Sequence, residues 1–71
     1  MNRVPVSSTN LLSVGYDADS NVLEIEFQNG SIYQYFNVPA KIYSGLTSAA
    51  SPGRYFDAYI KKGGFASKRV K

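Results

Sequence analysis

From Val22 to Phe27, apolar and polar residues alternate with a period of two, placing Leu23, Ile25 and Phe27 on one face and Val22, Glu24 and Glu26 on the other. A half-buried strand has this pattern, because successive side chains of an extended backbone leave opposite faces. Asn29-Gly30 follows, then Ser31-Ile32-Tyr33-Gln34-Tyr35-Phe36, a run rich in residues that suit a pleated surface. Asn-Gly between two such runs predicts a hairpin closed by a two-residue type I′ turn, since both residues tolerate positive φ. Counting outward from that turn pairs Gln28 with Ser31, Phe27 with Ile32, Glu26 with Tyr33, Ile25 with Gln34, Glu24 with Tyr35 and Leu23 with Phe36. One face then carries Leu23, Ile25, Phe27, Ile32 and Phe36 around Gln34 and is the expected core. The other carries Glu24, Glu26, Tyr33 and Tyr35.

Upstream, Leu11 to Tyr16 reads as a further strand with Leu12, Val14 and Tyr16 inward, joined to the next by the polar stretch Asp17-Ala18-Asp19-Ser20-Asn21. The segment Val4 to Asn10 contains Pro5 and a Ser-Ser-Thr cluster, so it is either an edge strand or an ordered arm. After Phe36 the period changes. Pro39 pre-sets a first helical turn, and Val38, Ile42, Leu46 and Ala49 or Ala50 recur at three to four residues, which predicts a helix to about Ala50. Ser51-Pro52 then reads as N-cap and first helical residue of a second helix, whose stripe of Tyr55, Phe56, Tyr59 and Ile60 ends at Gly63-Gly64. Phe56 and Ile60 are expected in the core. The tail from Phe65 to Lys71 adds a brief strand or anchors by Phe65 alone. The expected fold is α+β: a three-stranded antiparallel β-meander followed by two short α-helices packed on one face, forming a single domain over residues 1–71.

The side-chain inventory narrows the chemistry. The 71 residues include neither Cys nor His, so imidazole and thiolate, the groups best suited to proton transfer near neutral pH and to zinc binding, are missing. A non-enzymatic role with no cofactor and no metal is expected. No apolar run approaches the length of a membrane span and no signal-peptide core follows the N-terminus, so the default compartment is the cytosol. The net charge of +3 is mild, but its distribution is not even. Residues 1–30 hold Asp17, Asp19, Glu24 and Glu26 against Arg3, whereas residues 54–71 hold Arg54, Lys61, Lys62, Lys68, Arg69 and Lys71 against Asp57. A basic end suits nucleic acid or anionic surfaces, and it also serves solubility.

Two candidate surfaces follow. The first is the basic C-terminal third, where Arg54, Lys61, Lys62, Lys68 and Arg69 would track phosphates while an outward Tyr55 or Tyr59 stacks on a base. The blander reading has these cations complementing the helix dipole. The second is the Tyr33 and Tyr35 pair, read as a stacking platform or a protein-docking face, against the blander reading that the rings simply cover the sheet's second face with their hydroxyls bonded to the N-terminal arm or the tail. The expected register argues against stacking there, because Glu24 and Glu26 would stand beside the phenols and repel a phosphate backbone. Ser51-Pro52-Gly53 suits simple capping better than anion binding, since Pro52 lacks an N–H. Gln34, on an otherwise apolar face, needs a hydrogen-bond partner. The function expected is a small binding module for RNA or single-stranded nucleic acid. The alternative is protein interaction through the tyrosine face or a sheet edge.

The order of features resembles one small bacterial and phage family, the KTSC domain, found at the C-terminus of some lysyl-tRNA synthetases. The resemblance spans nearly the whole chain. It is carried by Ser7-Ser8, Val14-Gly15-Tyr16-Asp17, Leu23-Glu24-Ile25-Glu26-Phe27, Asn29-Gly30, Tyr33-Gln34-Tyr35, Val38-Pro39, Ala50-Ser51-Pro52-Gly53, and Tyr55-Phe56 leading into Ile60. Departures are Pro52, where members usually have a charged or polar residue, and the Gly63-Gly64-Phe65 stretch in place of an aromatic-basic tail. The resemblance implies a free-standing version of a domain for which RNA binding has been proposed from its synthetase context.

Overall fold

The computed structural model describes residues 1–71. Five strands, β1 (Arg3–Pro5), β2 (Leu11–Asp17), β3 (Val22–Phe27), β4 (Ile32–Tyr35) and β5 (Ser67–Arg69), form one antiparallel sheet in the order β1-β2-β3-β4-β5. Between β4 and β5 run α1 (Ala40–Ser48) and α2 (Pro52–Tyr55), the latter continuing without a break into a wider π-helical stretch, Phe56–Lys61. The helices cover one face of the sheet. Leu11, Val14, Leu23, Ile25 and Tyr35 from the strands meet Val38, Leu46, Phe56 and Ile60 beneath them.

The α+β class stands as expected, but the sheet has five strands rather than three. The N-terminal segment takes the edge-strand alternative, Val4 pairing with Val14. At the other end, Gly64 turns the chain in a left-handed conformation (φ +80°), Phe65 packs against the core, and Ser67, Lys68 and Arg69 pair with Tyr35, Gln34 and Tyr33. Charged β5 thus closes the sheet with an edge that discourages further strand pairing. The first helix ends at Ser48, two residues short of expectation. There the Ser48 and Thr47 hydroxyls donate to the Ser44 carbonyl (2.8 and 3.1 Å), a local bond that competes with helix continuation. The second helix begins as read, with Ser51 Oγ accepting from the Arg54 amide (3.4 Å) and Pro52 at the first position.

The β3–β4 register differs from expectation by one residue. Leu23 pairs with Tyr35, Glu24 with Gln34, Ile25 with Tyr33 and Glu26 with Ile32. The loop holds three residues, Gln28, Asn29 and Gly30. The Phe27 amide donates to the Ser31 carbonyl (2.9 Å), the Gly30 amide donates to the Phe27 carbonyl (2.9 Å), and Gly30 alone is left-handed (φ +89°). This is a type I turn followed by a glycine bulge, the other hairpin geometry that Asn-Gly supports. Asn29 Oδ1 holds it by accepting from the Ser31 amide and hydroxyl (3.0 and 2.7 Å).

A one-residue slip moves every side chain of β4 to the opposite face. Tyr33 and Tyr35 therefore lie on the helix side with Leu23, Ile25 and Phe27, whereas Ile32, Gln34 and Phe36 join Glu24 and Glu26 on the open side. The energetic reason is Gln34. In the expected register its amide would lie under the helices among apolar neighbours, at a cost of ~1–3 kcal/mol for each unsatisfied buried group. In the observed register Gln34 Nε2 donates to Glu24 Oε1 (2.9 Å). A second local irregularity sits in β2, where the pairing shifts between Leu11 and Ser13. This bulge puts Leu11, fully buried, in the place expected for Leu12, which is left 40% exposed.

Candidate binding groove

The second helix presents three stripes. Phe56 and Ile60 point into the core, as their spacing implies. On one flank Tyr55 packs against α1, where a Cβ at Gly45 would approach Tyr55 Cζ to 2.5 Å, and leans on Tyr59 with ring centroids 4.6 Å apart. On the other flank stand Arg54, Asp57 and Lys61, the first two bordering one groove and the last two the next.

That last flank borders two grooves. The first, about 520 Å³, is polar and lies between the helix start and the loop before β2. Ser7, Ser8 and Asn10 line one side, and Ser51, Arg54 and Asp57 the other. The second, about 380 Å³, is aromatic, with walls formed by Phe27, Tyr33, Tyr35 and Phe56 and a rim that includes Asp57 and Lys61. Asn10 and Asp57 line both, so the two share a wall.

The Ser7–Asn10 loop is firmly held. Ser8 Oγ accepts from the amides of Asn10 and Leu11 (both 3.1 Å). Gln28 ties the loop to the hairpin turn, its Nε2 donating to the Ser8 and Leu11 carbonyls (both 3.2 Å). Gly53 allows the helix start to approach, since a Cβ there would stand 3.1 Å from Ser8 Oγ.

In the aromatic groove, Phe27 meets Tyr33 and Phe56 edge to face, with centroids 5.7 and 5.4 Å apart. Tyr35 meets Phe56 in the same way at 5.7 Å. The Tyr33 and Tyr35 rings lie within 26° of parallel, centroids 6.5 Å apart. Tyr35 is buried and Tyr33 half-buried. Burial, reinforced by the neighbouring Tyr33, raises the Tyr35 phenol above its ordinary value, so it remains a neutral hydroxyl at physiological pH. Tyr16 differs, because its hydroxyl is spent inside the fold on the Val38 carbonyl (2.5 Å) and on Asn21 Oδ1 (3.0 Å).

The carboxylates expected beside Tyr33 and Tyr35 lie on the opposite side of the sheet. There Arg3 Nη1 meets Glu24 Oε2 (2.5 Å), Arg3 Nη2 approaches Glu26 Oε1 (3.6 Å), and Ser13 Oγ accepts from Arg3 Nε (3.0 Å) while donating to Glu26 Oε1 (2.9 Å). Burial alone would raise the Glu24 pKa, but the hydrogen bonds from Gln34 and Arg3, with the charge of Arg3 and the N-terminus, outweigh it and hold the carboxyl below its usual range. Repulsion from these two carboxylates is therefore no argument against a ligand at the tyrosines.

The sequence-predicted cations scatter. Arg54 and Lys61 reach the grooves, and Arg69 stands directly across from Tyr33 on β5. Lys62 bonds Asp57 Oδ2 at 3.3 Å. Lys68 pairs across from Gln34 and so faces the open side. Tyr55 and Tyr59 occupy the flank of the helix away from the grooves. Sequence reasoning missed Asn10 and Asp57 as shared walls. The signals for them were the i, i+3, i+7 spacing of Arg54, Asp57 and Lys61 and the polar run Ser7-Ser8-Thr9-Asn10.

Known proteins resemble this chain in sequence and fold. A crystal structure of a KTSC domain protein from Yersinia pestis matches with a TM-score of 0.90 at 45% identity, covering 99% of this chain and 97% of that one. An uncharacterized protein of Stutzerimonas stutzeri is 41% identical over 61 residues, 86% of each chain. A lysine–tRNA ligase of Nostoc punctiforme is 41% identical over 46 residues, which are 65% of this chain and 8% of that enzyme. No helix of the fold is long and apolar enough to cross a membrane. With residues 7–65 matching the family pattern, the chain belongs to the KTSC domain family.

Proposed function

We propose that the chain is a non-enzymatic binding module for single-stranded RNA, contacting it along the flank of the second helix that carries Arg54 and Lys61. The observation that carries this reading is the joining of two features in one place: a line of cations without carboxylate partners, and a groove walled by Phe27, Tyr33, Tyr35 and Phe56. Proteins that hold single strands combine these elements, basic side chains for the backbone and aromatic faces for the bases. Arg69, across from Tyr33, adds a third cation. The similarity to a segment of lysine–tRNA ligases supports RNA as the polymer. Lys62 and Lys68 take a smaller part, one being neutralised by Asp57 and the other facing the open side of the sheet.

The test is an anisotropy titration with a labelled single-stranded RNA at 50 and 200 mM salt. Three phosphate contacts give a slope of about −2 in log K against log salt, so affinity falls roughly twentyfold over that range. Binding insensitive to salt, or capture of a protein partner that competes with no RNA, would favour the docking alternative and refute this reading.

A further inference from the structure

Resting on that reading, we infer that the aromatic groove is a pocket for one unpaired base carrying an exocyclic amine, with Asp57 as the acceptor that selects it. Along the helix flank the charges run cation, anion, cation: Arg54, Asp57, Lys61. Arg54 stands in the α-helical turn and Lys61 at the end of the π-helical stretch, an arrangement that suits two phosphates with a base between them. A carboxylate in the middle of this line would be misplaced against a continuous phosphate track. It is well placed against the edge of a base turned inward.

The groove has the form such a base needs. Its volume of about 380 Å³ lies at the small end of ligand pockets. Four aromatic rings wall it, two of them near-parallel tyrosines, and the Tyr33 and Tyr35 hydroxyls make none of the internal hydrogen bonds that occupy Tyr16. Asp57 Oδ2 is turned to Lys62 on the outside, which leaves Oδ1 to accept. An ionised carboxylate accepts and never donates, so it bonds the amino group of cytosine or adenine, or the amino and imino groups of guanine. Uracil offers it only the N3–H, which is flanked on both sides by the O4 and O2 carbonyl oxygens, whose partial negative charges repel a carboxylate. An exocyclic amine meets the carboxylate without that repulsion, so the site favours bases that carry one over uracil.

Anisotropy titrations with labelled hexamers of cytidine, adenosine and uridine at 50 mM salt test this. Wild-type protein should bind the cytidine and adenosine hexamers about tenfold more tightly than the uridine hexamer, which corresponds to ~1.4 kcal/mol. Asp57→Asn, whose amide both donates and accepts, should narrow that ratio to about one while keeping the melting temperature. Tyr33→Leu should weaken all three hexamers about tenfold through lost stacking. Equal affinity for the three hexamers in wild-type protein, with steep salt dependence intact, would refute the base pocket and leave the RNA reading standing. A base preference unchanged in Asp57→Asn would remove Asp57 from the role. No binding of any hexamer would overturn the RNA reading and this inference together.

Discussion

Replacing Gln34 with Ala tests the strand register that positions the groove, because the two registers predict opposite signs. In the observed pairing Gln34 Nε2 donates to Glu24 Oε1 at 2.9 Å, and Glu24 is only 9% exposed. A hydrogen bond to a charged group contributes ~1.5–3 kcal/mol. Arg3 keeps its hold on the other oxygen, Oε2, and some water can reach Oε1, so the lower end applies and the loss is about 1.5 kcal/mol. For a domain of this size that lowers the melting temperature by about 6–12 °C. In the alternative pairing Gln34 would lie unpartnered beneath the helices, and its removal would be neutral or stabilising.

The pH dependence provides a second reading of the same variant. Glu24 has a folded pKa below its ordinary value of 4.5. Its contribution to stability is therefore complete above the unfolded value and is lost as pH falls through the lower folded one. Gln34→Ala moves the folded pKa back up toward ordinary, so the gap between variant and wild type is widest near neutrality and narrows below about pH 4. Urea unfolding at pH 7 and pH 3 measures both effects. A variant equal to or more stable than wild type at pH 7, with an unchanged m-value, would refute the register argument.

Two further substitutions test the packing that fixes the second helix and the turn into the first. Gly45→Ala gains ~1 kcal/mol of helix propensity, but its Cβ would come within 2.5 Å of Tyr55 Cζ, and overpacking costs ~1–3 kcal/mol. A lowered melting temperature is expected, and Gly45→Ala with Tyr55→Leu should recover part of it; a rise in the single variant would count against the contact. Tyr16→Phe removes the hydroxyl that donates to the Val38 carbonyl (2.5 Å), costing ~1 kcal/mol; since the same hydroxyl also reaches Asn21 Oδ1 and the Asn21 carbonyl accepts the Val38 amide (2.9 Å), faster exchange of that amide than in wild type is the accompanying NMR signature.

Local patterns were readable where local physics decides. The alternation in β3 placed Leu23, Ile25 and Phe27 inward, and Ser51-Pro52 marked the start of the second helix. The hairpin register was not decided locally, since Asn-Gly closes either a two-residue or a three-residue loop. What selects between them is a partner ten residues away, Glu24, which accepts the amide of Gln34. The sequence carried that clue as an uncomfortable polar residue on a supposed core face. The bulge that exchanges Leu11 for Leu12 carried no comparable signal, because both residues are leucine.

The register also decides the electrostatics of the groove. With a two-residue turn, Glu24 and Glu26 would stand among the phenols and a polyanion would be excluded. With the three-residue turn, the sheet itself separates them. The carboxylates engage Arg3 on the open side, and the face with Tyr33 and Tyr35 has Lys61 at its rim and Arg69 beside it. The remaining negative charge there, Asp57, comes from the helix and not from the sheet. In the proposed base pocket, its placement between Arg54 and Lys61 would let an anion-binding flank choose among bases.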